Sequence, residues 1–169
     1  MSTTAATTIT TPRLETRPAQ PCVVIRNRVT MAQLPTDLPP LHGELARWLG
    51  QRGLAPSGPP FFRYPVIDME GLLTVDVGFP VAKPVEGDGR VLGDTIAAGP
   101  YLVAMYHGHP RGLERATGEL LDWAGAHGVT WDKQPEGRGE AWRSRIEWYL
   151  DDNRPDMNTW DTELAFLTR

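Results

Sequence analysis

Residues 141–150 read Ala-Trp-Arg-Ser-Arg-Ile-Glu-Trp-Tyr-Leu. As a β-strand the stretch alternates, sending Ile146, Trp148 and Leu150 to one face and Arg145, Glu147 and Tyr149 to the other. One face is apolar; the other sets a carboxylate between a guanidinium and a phenol. A solvated sheet face would carry such a set, with Glu147 paired to Arg145 or Arg143 at little energetic gain. The density of tryptophan around it argues the other way, since tryptophan collects where surface is buried. Glu147 is therefore the residue on which the reading turns.

Outward from this strand, a short pattern recurs in the same register. Gly43-Glu44-Leu45, Trp48 and Gly53 return as Gly118-Glu119-Leu120, Trp123 and Gly128. An apolar run precedes each copy, Cys22 to Ile25 and Tyr101 to Tyr106, and a Gly/Pro-rich loop and further strand-like runs follow each. Leu41, Leu45, Trp48 and Leu49 fall on one helical face, and Leu113, Ala116, Leu120 and Trp123 form a similar stripe. Gly53 and Gly128 stand where left-handed helix caps belong, and Pro39, Pro40 and Pro110 stand just ahead of the helices.

This pattern predicts an α+β fold built by tandem duplication of a strand-helix-strands unit. Helices on one side of the sheets would leave the opposite faces to form a concave ligand pocket between the halves. Residues 1–18 are expected to be a flexible tail and residues 19–169 a single domain. Its first half covers about residues 19–83, a connecting loop about 84–96, and the second half about 97–169. Leu72 to Val81 alternates as a strand, and it is expected to be the counterpart of Ala141 to Leu150, with Asp76 roughly where Glu147 stands.

Composition narrows the function classes. The chain has 169 residues, 40% hydrophobic and 22% charged, as in ordinary globular proteins. A net charge of -4 and a pI near 5.5 offer no basic footprint, so direct nucleic-acid binding is not expected. No apolar run approaches the ~20 residues that cross a bilayer, and no signal peptide is recognisable; a cytoplasmic location is expected. The lone Cys22, within an apolar run, reads as a small core hydrophobe. His107-Gly108-His109 lacks a third ligand at a characteristic spacing, so neither a metal nor any other cofactor is expected.

The chain resembles the gyrase-inhibitor-like (GyrI-like) small-molecule-binding family in stand-alone form, a family also seen as the effector-binding domain of AraC-type, multidrug-responsive activators. The residues that carry the resemblance are Asp76-Val77-Gly78-Phe79-Pro80-Val81, Ala98-Gly99-Pro100-Tyr101, His107-Gly108, and Leu120 to Gly128 with Trp123. Ile146 to Asp152 and Trp160-Asp161-Thr162-Glu163-Leu164 complete the series. The resemblance implies a duplicated, SHS2-like strand-helix-strands fold with pseudo-twofold symmetry and a pocket between its two halves, into which Glu147 points to meet cationic aromatic ligands. Trp148 departs from the smaller aliphatic residue expected between Glu147 and Tyr149.

Carboxylates among aromatic walls lose hydration, and a lipophilic cation restores what is lost. Aromatic faces add cation–π and stacking contacts, and flat walls accept many flat ligands. The expected ligand-binding set is Glu147, Tyr149, Tyr106, Trp142, Tyr64, Phe61 and Arg145. Three functions compete: sensing or sequestering small aromatic, often cationic compounds; hydrolysing strained, cyclopropane-type genotoxins, with Glu147 as general base and Tyr149 or Tyr106 as proton donor; and inhibition of a protein partner such as gyrase or a regulator.

Overall fold

Two pairs of strands that follow one another in the chain lie far apart in the sheet, and this decides its shape. A computed structural model describes residues 8–151 and 153–169. Its strands are β1 (Arg13–Arg17), β2 (Gln20–Val29), β3 (Phe61–Ile67), β4 (Leu73–Pro80), β5 (Leu92–Ile96) and β6 (Gly99–His107). After these come β7 (Lys133–Glu136), β8 (Gly139–Trp142), β9 (Arg145–Tyr149) and β10 (Asp161–Leu167). All belong to one antiparallel sheet, ordered β1-β6-β10-β9-β3-β4-β2-β5, with the β7–β8 hairpin attached to β3.

Only Pro18 and Ala19 join β1 to β2, which stand six strand steps apart. A flat sheet would separate them by about 29 Å at the usual interstrand spacing, whereas the link reaches about 11 Å. The same holds for Ala97 and Ala98 between β5 and β6. The sheet must therefore curl until its margins meet. Cys22, Val24, Ile96, Tyr101 and Val103, drawn from both margins, duly share one apolar cluster with Phe61, Ile146 and Leu167 inside the curl.

Helix α2 (Pro40–Gln51) and helix α3 (Leu113–Ala126) cover the outer face; the short α1 (Leu34–Asp37) precedes them. Leu45 and Leu49 pack on Val23, Ile25 and Phe79, while Leu113, Ala116 and Leu120 join Leu102, Ala104 and Leu164. Both helices end as the sequence predicts, at glycines in the left-handed region, Gly53 (φ 67°) and Gly128 (φ 71°). Each carries a polar outer side, so burial of one stripe, rather than intrinsic helix propensity, holds it in place.

The order of pairing corrects one expectation about the repeat. Strand β2, helix α2, β3 and β4 succeed one another with β4 between β2 and β3; β6, helix α3, β9 and β10 do the same with β10 between β6 and β9. By connectivity β9 answers to β3, not to the Leu72 to Val81 strand. Asp76 accordingly does not mirror Glu147. It faces the interior of the curl, fully buried, and accepts from Arg26 Nε (2.8 Å) and Arg63 Nε (3.0 Å), while Arg63 also bridges to Asp94 (2.5 Å).

Two boundaries also move. The expected tail of residues 1–18 is not a tail from Thr8 onward: Ile9 bridges to Tyr106 and is buried, Thr8 donates to Glu119, and β1 pairs with β6. Residues 1–7 lie outside the described residues. The expected loop of 84–96 contains β5, an edge strand on β2. Cys22 is buried, and burial pushes its thiol up to about 12, as befits a core residue.

Candidate functional site

Glu147 lies on the outer face of the curl, in the layer between sheet and helices. The expectation that the helices occupy one face and leave the other to this carboxylate is not met. Its cross-strand partners are Phe62 on β3 and Leu164 on β10, and only 7% of its surface is exposed. Strand alternation brings Arg145 and Tyr149 to the same side, as expected, and sends Ile146 and Trp148 to the interior of the curl.

Two phenols meet the carboxylate. The hydroxyls of Tyr64 (2.8 Å) and Tyr149 (2.7 Å) both donate to Oε1, leaving Oε2 without a hydrogen bond among the described residues. Burial raises the Glu147 carboxyl above its ordinary value, and the two hydroxyls and the Arg145 charge oppose that rise. Burial, reinforced by the neighbouring carboxylate, likewise holds both tyrosines well above the ordinary phenol range, so they serve as donors. Among the described residues no arginine ion-pairs with Glu147: Arg143 reaches Asp132 instead (3.7 Å).

Aromatic rings close around this centre. Phe62 stands edge-on to Tyr149 (5.2 Å) and parallel to the His42 ring (5.3 Å), and His42 is also edge-on to Tyr149 (6.2 Å). Since a carbonyl only accepts, His42 Nε2 donates to the Phe61 carbonyl (3.0 Å), and burial lowers this imidazole to about 4. It is neutral at neutral pH, so the wall adds no charge to repel a cation.

Trp142 and Arg145 reach the same face through a local irregularity. Ser144 is turned inward, where its hydroxyl donates to the Tyr101 hydroxyl (2.8 Å), whose own proton goes to the Ala97 carbonyl (2.6 Å), so Arg145 rejoins the side that Trp142 occupies. The Arg145 guanidinium stacks over Trp142 (4.6 Å) and over Phe166 (4.7 Å).

The remaining expected wall residues are not brought together with Glu147. Phe61 faces the interior of the curl, tilted against Trp148 (5.0 Å), and Phe62 takes the place assigned to it. Tyr106 shares the outer face but sits two strands from Tyr149, and its hydroxyl donates to the His109 carbonyl (2.8 Å). The sequence reading missed Phe62 and His42. Phe62 has the same strand parity as Tyr64, a signal that was present; His42 lies on the helical face between Leu41 and Leu45. His107 and His109 serve locally, His107 against Asp161 (2.7 Å) and His109 as acceptor from the Arg111 amide (3.1 Å).

Two open clefts, of about 250 and about 190 Å³, line the seam of the curl around Arg17, Gln20 and Trp148. Neither includes Glu147. No helix among the described residues is long and apolar enough to cross a membrane.

Comparisons place this geometry among known proteins. The sequence matches the GyrI-like small molecule binding domain over residues 10–166. A search of curated proteins returned no match. Among solved structures, the EcmrR C-terminal domain superposes with a TM-score of 0.74 at 20% identity, over 94% of this chain and 96% of that one. EcmrR in its DNA complex gives 0.77 at 19% identity over 97% of this chain, which spans 59% of the EcmrR chain. SAV2435 bound to tetraphenylphosphonium gives 0.63 at 10% identity, over 95% and 94%. These likenesses establish a shared fold.

Proposed function

The chain belongs to the GyrI-like small-molecule-binding family, and from that premise we propose that it binds small, lipophilic aromatic cations at Glu147, for sensing or sequestration. One observation carries the proposal: a buried carboxylate takes both of its phenolic donors on Oε1 and keeps Oε2 for a ligand, inside a wall of aromatic rings. Its proton is held by burial, so a cation that replaces the proton regains what desolvation cost. The tetraphenylphosphonium bound to SAV2435, a protein of this fold, is such a cation.

Cation–π contacts with the faces of Phe62 and Tyr149, together with buried apolar area, suffice for a dissociation constant of about 1 μM, or about -8 kcal/mol. Titration calorimetry with tetraphenylphosphonium tests this. Wild type binds, and Glu147→Gln, which keeps the shape and the acceptor but not the charge, weakens binding roughly tenfold or more. Equal affinity in both proteins would remove the charge role.

A second reading draws on the same raised carboxyl. With Tyr149 beside it, Glu147 is placed to take a proton from water while the hydroxyl bonds to a strained ring carbon. The ring bond breaks toward a conjugated carbonyl, and Tyr149 supplies the proton that completes hydration. Incubation with a cyclopropane-bearing alkylator then yields a product heavier by one water, and Glu147→Gln yields none; unchanged compound in both would rule the reaction out.

A further inference from the structure

Arg145 differs from the buried arginine of the curl's interior. Arg63, its counterpart inside the curl, has Asp76 and Asp94 on its donors. Arg145, among the described residues, has neither an ion-pair partner within 4.0 Å nor a hydrogen bond, although it is only partly exposed. Its guanidinium lies over the rings of both Trp142 and Phe166, which meet edge to face (5.8 Å, 70°). Contacts with ring faces leave the guanidinium N–H donors unspent. Glu147 does not spend them: its Oε1 accepts from two tyrosines and its Oε2 from no described residue. Burial also lowers the guanidinium from its ordinary value, and the nearby Glu147 charge opposes that fall without pairing.

A second donor lacks an acceptor in the same patch. Trp142 is 4% exposed, and its Nε1 is one of two buried side-chain polar atoms without a hydrogen bond among the described residues. Native interiors seldom leave an indole N–H unpaired. This one belongs to the ring on which Arg145 lies. Lys133 reaches the same ring (5.2 Å) but is already paired with Glu140. The patch therefore offers positive charge and unspent donors together.

We infer that the site is built for two-poled ligands, aromatic cations that also carry a carboxylate, with Arg145 and Trp142 Nε1–H receiving the carboxylate while Glu147 receives the cation. The inference rests on the Glu147 binding reading and adds an acceptor pole to it. Arg145 and Glu147 are two residues apart on one strand face, which sets the poles roughly 7 Å apart. A planar guanidinium and an indole N–H match the in-plane lone pairs of a carboxylate better than an ammonium would.

Rhodamine 110 and rhodamine 123 test this, because they differ only in a free carboxylate against its methyl ester. By fluorescence polarisation wild type binds the carboxylate dye roughly tenfold more tightly. Arg145→Met, whose side chain still covers both rings, abolishes that preference and leaves rhodamine 123 within about threefold. Glu147→Gln weakens both dyes alike. Should Arg145→Met not fold, Trp142→Phe removes only the N–H and lowers the preference about threefold. Both dyes bound equally by wild type, or a preference unchanged in these variants, overturns the acceptor pole and leaves the Glu147 reading standing. Failure of both dyes to bind wild type overturns that reading and this inference with it.

Discussion

Phe62 stands directly opposite Glu147 across the contact of β3 with β9, where the strands that carry α2 meet those that carry α3. Tyr64 comes from the first group, Tyr149 from the second, and both donate to one carboxylate oxygen. The centre is therefore shared between the two groups. Loss of either donor should be felt in the other's titration.

Tyr64→Phe and Tyr149→Phe each remove one hydrogen bond that favours the ionised carboxylate, so each should raise the Glu147 pKa further. Each should also cost about 1–2 kcal/mol of stability. Difference infrared spectroscopy of the carboxyl stretch, with Glu147→Gln to identify the band, measures the first; urea denaturation measures the second. A pKa unmoved in both variants would contradict the shared-oxygen arrangement.

Glu147 also makes a signed prediction about pH. Its carboxyl is raised on folding from an ordinary 4.5, so the folded state holds the proton to higher pH than the unfolded state does. Its contribution is therefore intact below 4.5 and declines as pH climbs through the folded pKa. The stability of Glu147→Gln relative to wild type should rise across that window. A difference curve flat from pH 4 to 8 would mean no shift. Affinity for a permanent cation should rise over the same window, with a proton released on binding.

Inside the curl, the Phe61 ring lies where a Cβ on Gly78 would go, and Trp148 lies against it. Gly78→Ala should cost about 1–3 kcal/mol through overpacking. Phe61→Leu should recover part of that loss in the double variant, as read by thermal denaturation. Full additivity of the two costs would deny the contact.

Asp76 is wholly enclosed with Arg26 and Arg63. Asp76→Asn leaves Arg63 a buried cation with one fewer counter-charge, and should cost about 3–5 kcal/mol. Replacing the pair together, Arg63→Met with Asp76→Leu, should cost less than Asp76→Asn alone. The comparison of chemical denaturation midpoints decides it.

Much of the site is legible in residues 145–149, because strand alternation alone puts Arg145, Glu147 and Tyr149 on one side. The helices are legible from their apolar stripes and their glycine caps. Phe61 and Tyr64 were expected together, yet residues of opposite parity on one strand face opposite ways, and Phe62 is the one that joins Tyr64. Which face the helices cover is not written in either period. It follows from long-range pairing, as does the equivalence of β9 with β3. The strand within residues 13–17 is hidden by its polar composition: Arg13, Glu15 and Arg17 give it no apolar face, and it is held by β6 rather than by its own pattern.

The links Pro18-Ala19 and Ala97-Ala98 turn the curl into a hoop fastened by covalent bonds. Such a hoop cannot be flattened without stripping an edge strand from its neighbour, whereas α2 and α3 are laid over its outside like staves, held by apolar packing and isolated hydrogen bonds such as that of His42 to the Phe61 carbonyl. A molecule on its way to Glu147 will therefore find the floor unyielding and the roof negotiable. The rate at which it arrives should follow the mobility of the helices and not that of the sheet.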